Sequence, residues 1–242
     1  MVRLADAGVP VVLVVATGGE LGEVPEGFVG PQGPDGSQHS ALVELRREES
    51  RLAASVLGVG RLEMLGHHDS GMAGDPLNEV PHSFWSQPVQ AVAQQLSSLL
   101  VEVQASCVVG YDDFDVYGHP DHIQVSRMVA AAAELAGVRT VYGATVDREH
   151  LHFVETHVVE EAALAGDLGL VRSRIGVPSV EVAATVDVRA VLDRKRAAMS
   201  AHASQIPESA SALQLPNHHF ADVYGWEWYV RIGPPGPIDR LD

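Results

Sequence analysis

Two hydrophobic patterns alternate along the first 144 residues. Short runs rich in β-branched residues, such as the Val-Val-Leu-Val-Val of 11–15, are typical of strands that are buried on both faces. Longer stretches between them carry apolar residues at helical spacing, and 40–57 places Leu45, Leu52 and Val56 on one face. Strands are predicted at 10–16, 61–65, 106–111 and 139–144, and helices at 40–57, 88–104 and 120–137. This alternation predicts an α/β fold with a doubly wound parallel sheet and helices on both faces.

The rest of the chain is less regular and predicts a smaller, mixed C-terminal part. Helices are expected at 148–165 and 188–203, an edge strand at 180–186 and a final strand at 226–231. Residues 233–242 are rich in Pro and Gly and are expected to form a loose tail. Because no internal repeat or long linker interrupts the sequence, we predict that 1–242 is a single domain.

The first seven residues have the pattern of the end of a helix, and Gly8 follows as its stop. Two turns alone are too short to be stable in water. A buried strand such as 10–16 usually follows a full helix and an earlier strand in a β–α–β unit. We therefore expect the chain to begin inside a crossover, with a first strand missing.

Composition narrows the function classes. The 242 residues include 32 acidic and 16 basic side chains, for a formal net charge of −16. This charge argues against a nucleic-acid binder, which needs a basic face, and against an anionic membrane as partner. The longest apolar stretch, 9–16, is too short to span a bilayer and no signal-peptide cleavage pattern follows it, so we expect a cytoplasmic protein. Cys107 is the only cysteine, which excludes an internal disulfide and a Cys-based zinc site.

Polar residues follow each of the first four predicted strands, where a parallel sheet binds its ligands. The strongest signal is the Gly118–His122 segment, G-H-P-D-H. Pro120 suits the first position of a helix, which places His119 at the cap and His122 in the first turn. A neutral imidazole is a good zinc ligand, and Asp121 is suited to orient one of the two rings. The plain alternative is a pair of capping or solvated histidines.

Five segments, in order, resemble motifs of the PIG-L/LmbE-like, zinc-dependent N-acetylglucosaminyl deacetylases, in particular the branch of the mycothiol deacetylase and the mycothiol-conjugate amidase. The fold that this resemblance implies is a Rossmann-like parallel sheet. The segments are 17–23 (T-x-G-E-x-G-E), 45–49 (R-x-x-E), 68–72 (D-S-G-M), 117–122 (Y-G-H-P-D-H) and 201–205 (A-H-x-S-Q).

The resemblance implies a role for several side chains. His122 would be a zinc ligand, and His119, held by Asp121, would stabilise the oxyanion or protonate the leaving amine. Tyr117 would contact the tetrahedral intermediate. The groups implied to bind the sugar are Arg46, Asp69 and Glu23. Arg46 could instead lie on a solvated helix face, where Arg47 and Arg51 are expected to lie. Glu23 could instead be an ordinary loop carboxylate.

The chain departs from the family at its first motif, A-H-P-D-D-E, which follows the family's first strand and is absent here. That motif supplies the other zinc His, the zinc Asp and the Asp that acts as general base. We therefore expect the partner ligands of Zn²⁺ upstream of Met1. The missing strand is expected at the centre of the sheet, next to 10–16.

The leading hypothesis is a zinc-dependent hydrolase that removes an acyl group from the nitrogen of an N-acetylglucosamine-type glycoside. Its partner would be a small amino-sugar glycoside, and the sequence leaves open whether the protein forms a homo-oligomer. A mycothiol S-conjugate amidase is the alternative within the same class. A non-catalytic relic, which binds sugar or has a structural role after loss of its metal site, is the alternative from another class. A nucleotide-binding domain is disfavoured because 17–22 is not G-x-G-x-x-G.

Overall fold

A computed structural model describes residues 1–22, 38–112, 118–157 and 175–241. The helices are α1 (Val2–Asp6), α2 (Gln38–Leu57), α3 (Val89–Glu102), α4 (Pro120–Ala136), α5 (Arg148–His157), α6 (Leu192–Ser200), α7 (Ser211–Gln214) and α8 (Asn217–Tyr224). The strands are β1 (Val12–Thr17), β2 (Arg61–His67), β3 (Val108–Tyr111), β4 (Val141–Thr145), β5 (Ala184–Asp187) and β6 (Trp226–Ile232). The predicted α/β class is confirmed. Within the described ranges, no helix is long and apolar enough to cross a membrane.

The contacts divide the chain into two compact units. The first unit consists of Met1–Ser86 and Ala190–Pro216, and the second of Gln87–Arg189 and Asn217–Asp242. The sequence predicts one sheet, whereas the described residues form two, one in each unit. The single domain and the missing first strand stay predictions.

The sheet of the first unit pairs β1 with β2 in parallel, with Val12 opposite Arg61 and Thr17 opposite His67. Arg194 of α6 connects the helices of this unit. Its Nε donates a hydrogen bond to the carbonyl of Val56 at the end of α2, at 2.9 Å, and its Nη1 lies 2.8 Å from the carboxylate of Asp6, the last residue of α1. A guanidinium is well placed at the end of α2, where carbonyl groups lack helical partners.

Helix α2 turns a different face to the interior than its apolar residues predict. Leu52, expected on the buried face, is 53% exposed. The buried residues recur instead at helical spacing as Leu42, Arg46, Glu49 and Ala53. The prediction of the buried face was wrong because two charged residues lie on it.

The sheet of the second unit has the order β3-β4-β6-β5. Strands β3 and β4 are parallel, and β6 runs antiparallel to both β4 and β5. The mixed C-terminal part and the edge position of its first strand agree with the prediction, although 179–181 is a 3₁₀ turn and β5 begins only at Ala184. Helix α4 packs on β3, and a Cβ added at Gly110 would lie 3.1 Å from Val129, so glycine permits this close approach.

The Pro/Gly-rich tail is packed rather than loose over 234–240. Ile238 is buried, and the hydroxyl of Tyr142 on β4 accepts a hydrogen bond from the backbone N–H of Gly236 at 2.9 Å and contacts the Asp239 carboxylate. Asp239 also pairs with Arg231 on β6. The tail differs from the expectation because composition does not reveal the polar partners that the sheet supplies.

We expect Tyr142→Phe to loosen this tail. The buried hydroxyl is lost, and the free energy of unfolding should fall by about 1 kcal/mol, typical of a lost hydrogen bond. Hydrogen exchange at Gly236 should accelerate. Tyr229→Phe is the matched control, because it removes a hydroxyl that bonds Glu227 on the same sheet at 3.0 Å. Unchanged exchange over 234–240 in Tyr142→Phe would contradict the anchoring role.

Candidate active site

The start of α4 carries the G-H-P-D-H segment, the strongest candidate in the sequence for catalytic and zinc-binding residues. His119 is the N-cap, Pro120 is the first helical residue, and the backbone N–H of Asp121 donates a hydrogen bond to His119 Nδ1 at 3.2 Å. The predicted cap is therefore confirmed. Because Nδ1 accepts this bond, the neutral ring carries its hydrogen on Nε2. His119 thus presents an N–H donor on the side away from the helix backbone.

His122 lies in the first turn of the same helix. Its ring stacks on Tyr111, at the end of β3, with centroids 4.1 Å apart and planes 12° from parallel. The His119 and His122 rings lie 5.0 Å apart. Tyr111 was not among the predicted site residues, and its only sequence signal is its position at the carboxyl end of a strand.

Asp112 and Asp121 bring two buried carboxyl groups to this end of the second unit. Asp112 follows β3. Its carboxylate accepts a hydrogen bond from the hydroxyl of Thr145 at the end of β4, and its backbone N–H donates to the Ala144 carbonyl at 3.1 Å. Its contacts therefore hold two strand ends together, which is a structural role.

In the first unit, Glu20 joins the segments that follow β1 and β2. One oxygen of its carboxylate accepts a hydrogen bond from the backbone N–H of Asp69 at 3.2 Å and lies 2.8 Å from His68 Nδ1. The sequence analysis selected Glu23 in the same loop. Glu23 lies outside the described residues, as does Tyr117, and their roles stay predictions.

Asp69 shapes the loop on which it lies. Its Oδ1 accepts a hydrogen bond from the Gly71 N–H at 2.9 Å, and the next residue, Ser70, is fully buried with its hydroxyl accepting the Trp85 N–H at 2.8 Å. The D-S-G-M motif therefore has a structural function. If the Asp69 carboxylate also binds a ligand, it does so while it holds this loop.

Arg46 is buried, with an exposed fraction of 5%, and does not belong to a solvated face. Arg47 and Arg51 do, since they pair with Glu44 and Glu48 on the surface of α2. Arg46 Nε donates to the Ser204 hydroxyl at 3.4 Å, and Nη2 donates to the Gly22 carbonyl at 3.1 Å. The plain alternative that the sequence left open for Arg46 is therefore wrong.

Burial shifts the pKa values of Arg46 and of His202. Burial lowers the pKa of Arg46, and three nearby carboxylates act in the opposite direction, those of Glu49, Asp69 and Glu20. Burial also lowers the pKa of His202 below its usual value, with a smaller opposing effect of Glu49. The environment of His202 thus favours its neutral form.

The structure brings the predicted residues together within each unit. The second unit holds His119, Asp121 and His122 in the first turn of α4, and the first unit holds Arg46 within electrostatic range of Asp69. Glu20, Glu49 and Ser204 were not predicted as site residues, although each lies in a motif that the sequence analysis identified.

The described residues do not complete a catalytic zinc site. Among them, no three His, Cys, Asp or Glu side chains are arranged to hold a metal ion. A catalytic zinc takes three protein ligands. His122 alone falls short of that set, and the ligands expected upstream of Met1 stay a prediction.

Comparison with solved structures gives the fold. The chain superimposes on the N,N'-diacetylchitobiose deacetylase of Pyrococcus horikoshii with a TM-score of 0.57 and 20% identity, covering 96% of this chain and 76% of that one. It also matches a 4-carboxy-2-hydroxymuconate hydratase of Pseudomonas putida, with a TM-score of 0.56 and 18% identity over 98% of this chain and 90% of that one. Since a deacetylase and a hydratase share this fold, the fold alone does not fix the reaction.

Comparison of sequences is more specific. A deacetylase of Thermomonospora curvata, named for 1D-myo-inositol 2-acetamido-2-deoxy-alpha-D-glucopyranoside, is 32% identical over 267 aligned positions, which cover 98% of this chain and 86% of the relative. The profile of the family described as PIG-L, GlcNAc-PI de-N-acetylase, matches residues 1–133, more than half of the chain. On both grounds the chain belongs to the PIG-L family of de-N-acetylases.

Proposed function

We propose that the chain is an amide hydrolase that removes the acetyl group from the nitrogen of an N-acetylglucosaminyl-inositol glycoside, as in the mycothiol pathway. The observation that supports this most is the alignment of 98% of the chain with a relative named for that substrate. Its partner is then a small amino-sugar glycoside. The cytoplasmic location stays a prediction.

The reaction breaks the amide C–N bond and forms a C–O bond with water, which yields acetate and a free amine. The oxygen of the amide gains negative charge as water adds, and the departing nitrogen needs a proton. His119 is proposed to stabilise the negative oxygen, because its Nδ1 accepts the Asp121 N–H and its Nε2–H is therefore the donor. The proton that the departing nitrogen takes up comes from the water that adds. Asp121 is proposed to hold the ring, and the contact that supports this is its backbone N–H.

His122 is proposed as a zinc ligand, held in place by the stack on Tyr111. Bound zinc would polarise the amide carbonyl and acidify a water. Because the described residues hold no complete ligand set, we derive no step through the metal.

The first unit supplies the proposed sugar-binding groups. A guanidinium donates to hydroxyl oxygens and a carboxylate accepts from hydroxyl groups, so Arg46 and Asp69 would recognise complementary parts of a polyol. Glu23 and Tyr117 are proposed on the family resemblance alone, Glu23 for the sugar and Tyr117 for the tetrahedral intermediate.

The role of His119 can be separated from its cap. In His119→Asn the amide oxygen can still accept the Asp121 N–H, whereas Nε2–H is lost. We expect kcat to fall about 10²-fold or more with an unchanged melting temperature. His119→Ala should show the same loss of activity plus about 1 kcal/mol of lost stability from the missing cap. Full activity of His119→Asn on the N-acetylglucosaminyl-inositol glycoside would exclude a catalytic role, and parallel assays on a thiol conjugate test the amidase alternative.

The role of His122 is tested by metal content. We expect His122→Ala to lower the zinc retained per chain after purification, measured by elemental mass spectrometry. His218→Ala is the control, because His218 is an exposed histidine on α8. Equal zinc in His122→Ala and the parent would contradict the assignment. A parent chain that retains sugar binding but holds no zinc would favour the non-catalytic alternative.

Asp69 requires a variant that preserves its loop. Asp69→Asn keeps an oxygen that can accept the Gly71 N–H but removes the charge, whereas Asp69→Ala removes both. We expect Asp69→Asn to raise KM for the glycoside by roughly 3- to 10-fold, the effect of one or two weakened hydrogen bonds, with kcat less affected. Unchanged KM in a folded Asp69→Asn would show that this loop is structural only.

A further inference from the structure

Two opposite charges lie buried on one face of α2. Arg46 and Glu49 are three residues apart, so both side chains leave the helix on the same side, and each is only 5% exposed. Buried charges are tolerated when hydrogen bonds satisfy them. Their partners therefore decide where the Arg46 guanidinium points.

Ser204, in the segment after α6, connects the two charges. It is 2% exposed, and it donates its backbone N–H and its hydroxyl to the two oxygens of the Glu49 carboxylate, each at 2.7 Å. A hydroxyl has one hydrogen to donate. Because that hydrogen is directed at Glu49, the oxygen presents a lone pair to Arg46 Nε, 3.4 Å away.

The loop after β1 holds the other end of the guanidinium. The Gly22 carbonyl accepts from Arg46 Nη2, and a Cβ added at Gly22 would lie 2.8 Å from Arg46 Nη1 and 2.9 Å from Gln205 Nε2. A larger residue at 22 would therefore displace the ends of these two side chains. Gln205 directly follows Ser204, so the segment after α6 lies against Gly22 as well as against the guanidinium.

We propose that Ser204 and Glu49 are positioning residues that fix the direction of the Arg46 guanidinium, and that they act on the affinity for the amino-sugar glycoside through Arg46. The inference rests on the proposed function for the identity of the ligand. This inference gives the A-H-x-S-Q segment a role. Its serine holds Nε of Arg46, so that the planar guanidinium is oriented before the sugar binds. Preorganisation of this kind increases affinity because less freedom is lost on binding.

The direct test is the Arg46 Nε–H signal in nitrogen-15 NMR. In the parent protein we expect this hydrogen to exchange slowly with solvent. In Ser204→Ala it should exchange faster, towards the rate of the Nε–H of Arg51, whose side chain is exposed. Ser50→Ala is the matched control, since Ser50 bonds the backbone carbonyl of Arg46 at 2.8 Å and not its guanidinium. Unchanged protection in a folded Ser204→Ala overturns the positioning role, whatever the ligand.

The consequence for binding is tested by calorimetry with the deacetylated product, glucosaminyl-inositol. We expect Ser204→Ala to weaken binding about 2- to 10-fold, the effect of one hydrogen bond, and Ser50→Ala to leave it unchanged. Arg46→Lys keeps the charge opposite Glu49 but has no Nε–H, so it should weaken binding at least as much. Adding Ser204→Ala to Arg46→Lys should then have no further effect.

The two proposals fail in different ways. If Arg46→Lys binds the glycoside as the parent does, the proposed sugar-binding role of Arg46 is wrong, and the ligand part of the inference is overturned with it. If Arg46→Lys weakens binding while Ser204→Ala has no effect, or an additive one, the sugar-binding role stands and the positioning role is overturned.

Discussion

The burial of Arg46 and Glu49 on α2 is the constraint on which the first unit depends. A charged group that is buried without compensating hydrogen bonds strongly destabilises the folded state, so each of these two charges needs polar partners. The loop after β1 supplies a backbone partner for Arg46, and Ser204 after α6 supplies partners for Glu49. Three segments distant in sequence therefore meet at two buried charges, and the guanidinium lies close to Gly19 and Gly22 of the loop after β1.

At the start of α4, one hydrogen bond has both a structural and a chemical effect. The bond from the Asp121 N–H to His119 Nδ1 satisfies a helix N–H that has no partner within the helix. The same bond fixes which nitrogen of the ring carries hydrogen. The Tyr111 ring orients His122 in a similar way, since a stacked imidazole keeps its edge, where both nitrogens lie, free of the tyrosine face.

Sequence periodicity predicted β1 to β4 and α2 to α4, because apolar residues recur in them at the spacing of a strand or of a helix. The short helices α7 and α8 were not predicted. Periodicity predicted the buried face of α2 wrongly because it counts only apolar residues, and the buried residues of this helix include two charged ones, Arg46 and Glu49. The cap at His119 was predictable because Pro at the first helical position is a local signal. The partners of Arg46 were not, because Ser204 lies far along the chain and a serine has no pattern of its own. Tail packing escaped prediction for the same reason, since Asp239 meets Tyr142 only in the folded sheet.

The first unit is discontinuous in the chain, and this has a consequence for its synthesis. Glu49 emerges from the ribosome 155 residues before Ser204, the residue that satisfies both of its oxygens. At ordinary rates of translation that interval lasts roughly 10–30 seconds. During this time the interior face of α2 has its charges but not their final partners, so water must solvate them while the whole continuous stretch from Gln87 to Arg189 is being made. The segment that carries Glu49 is thus translated well before its own unit can be completed.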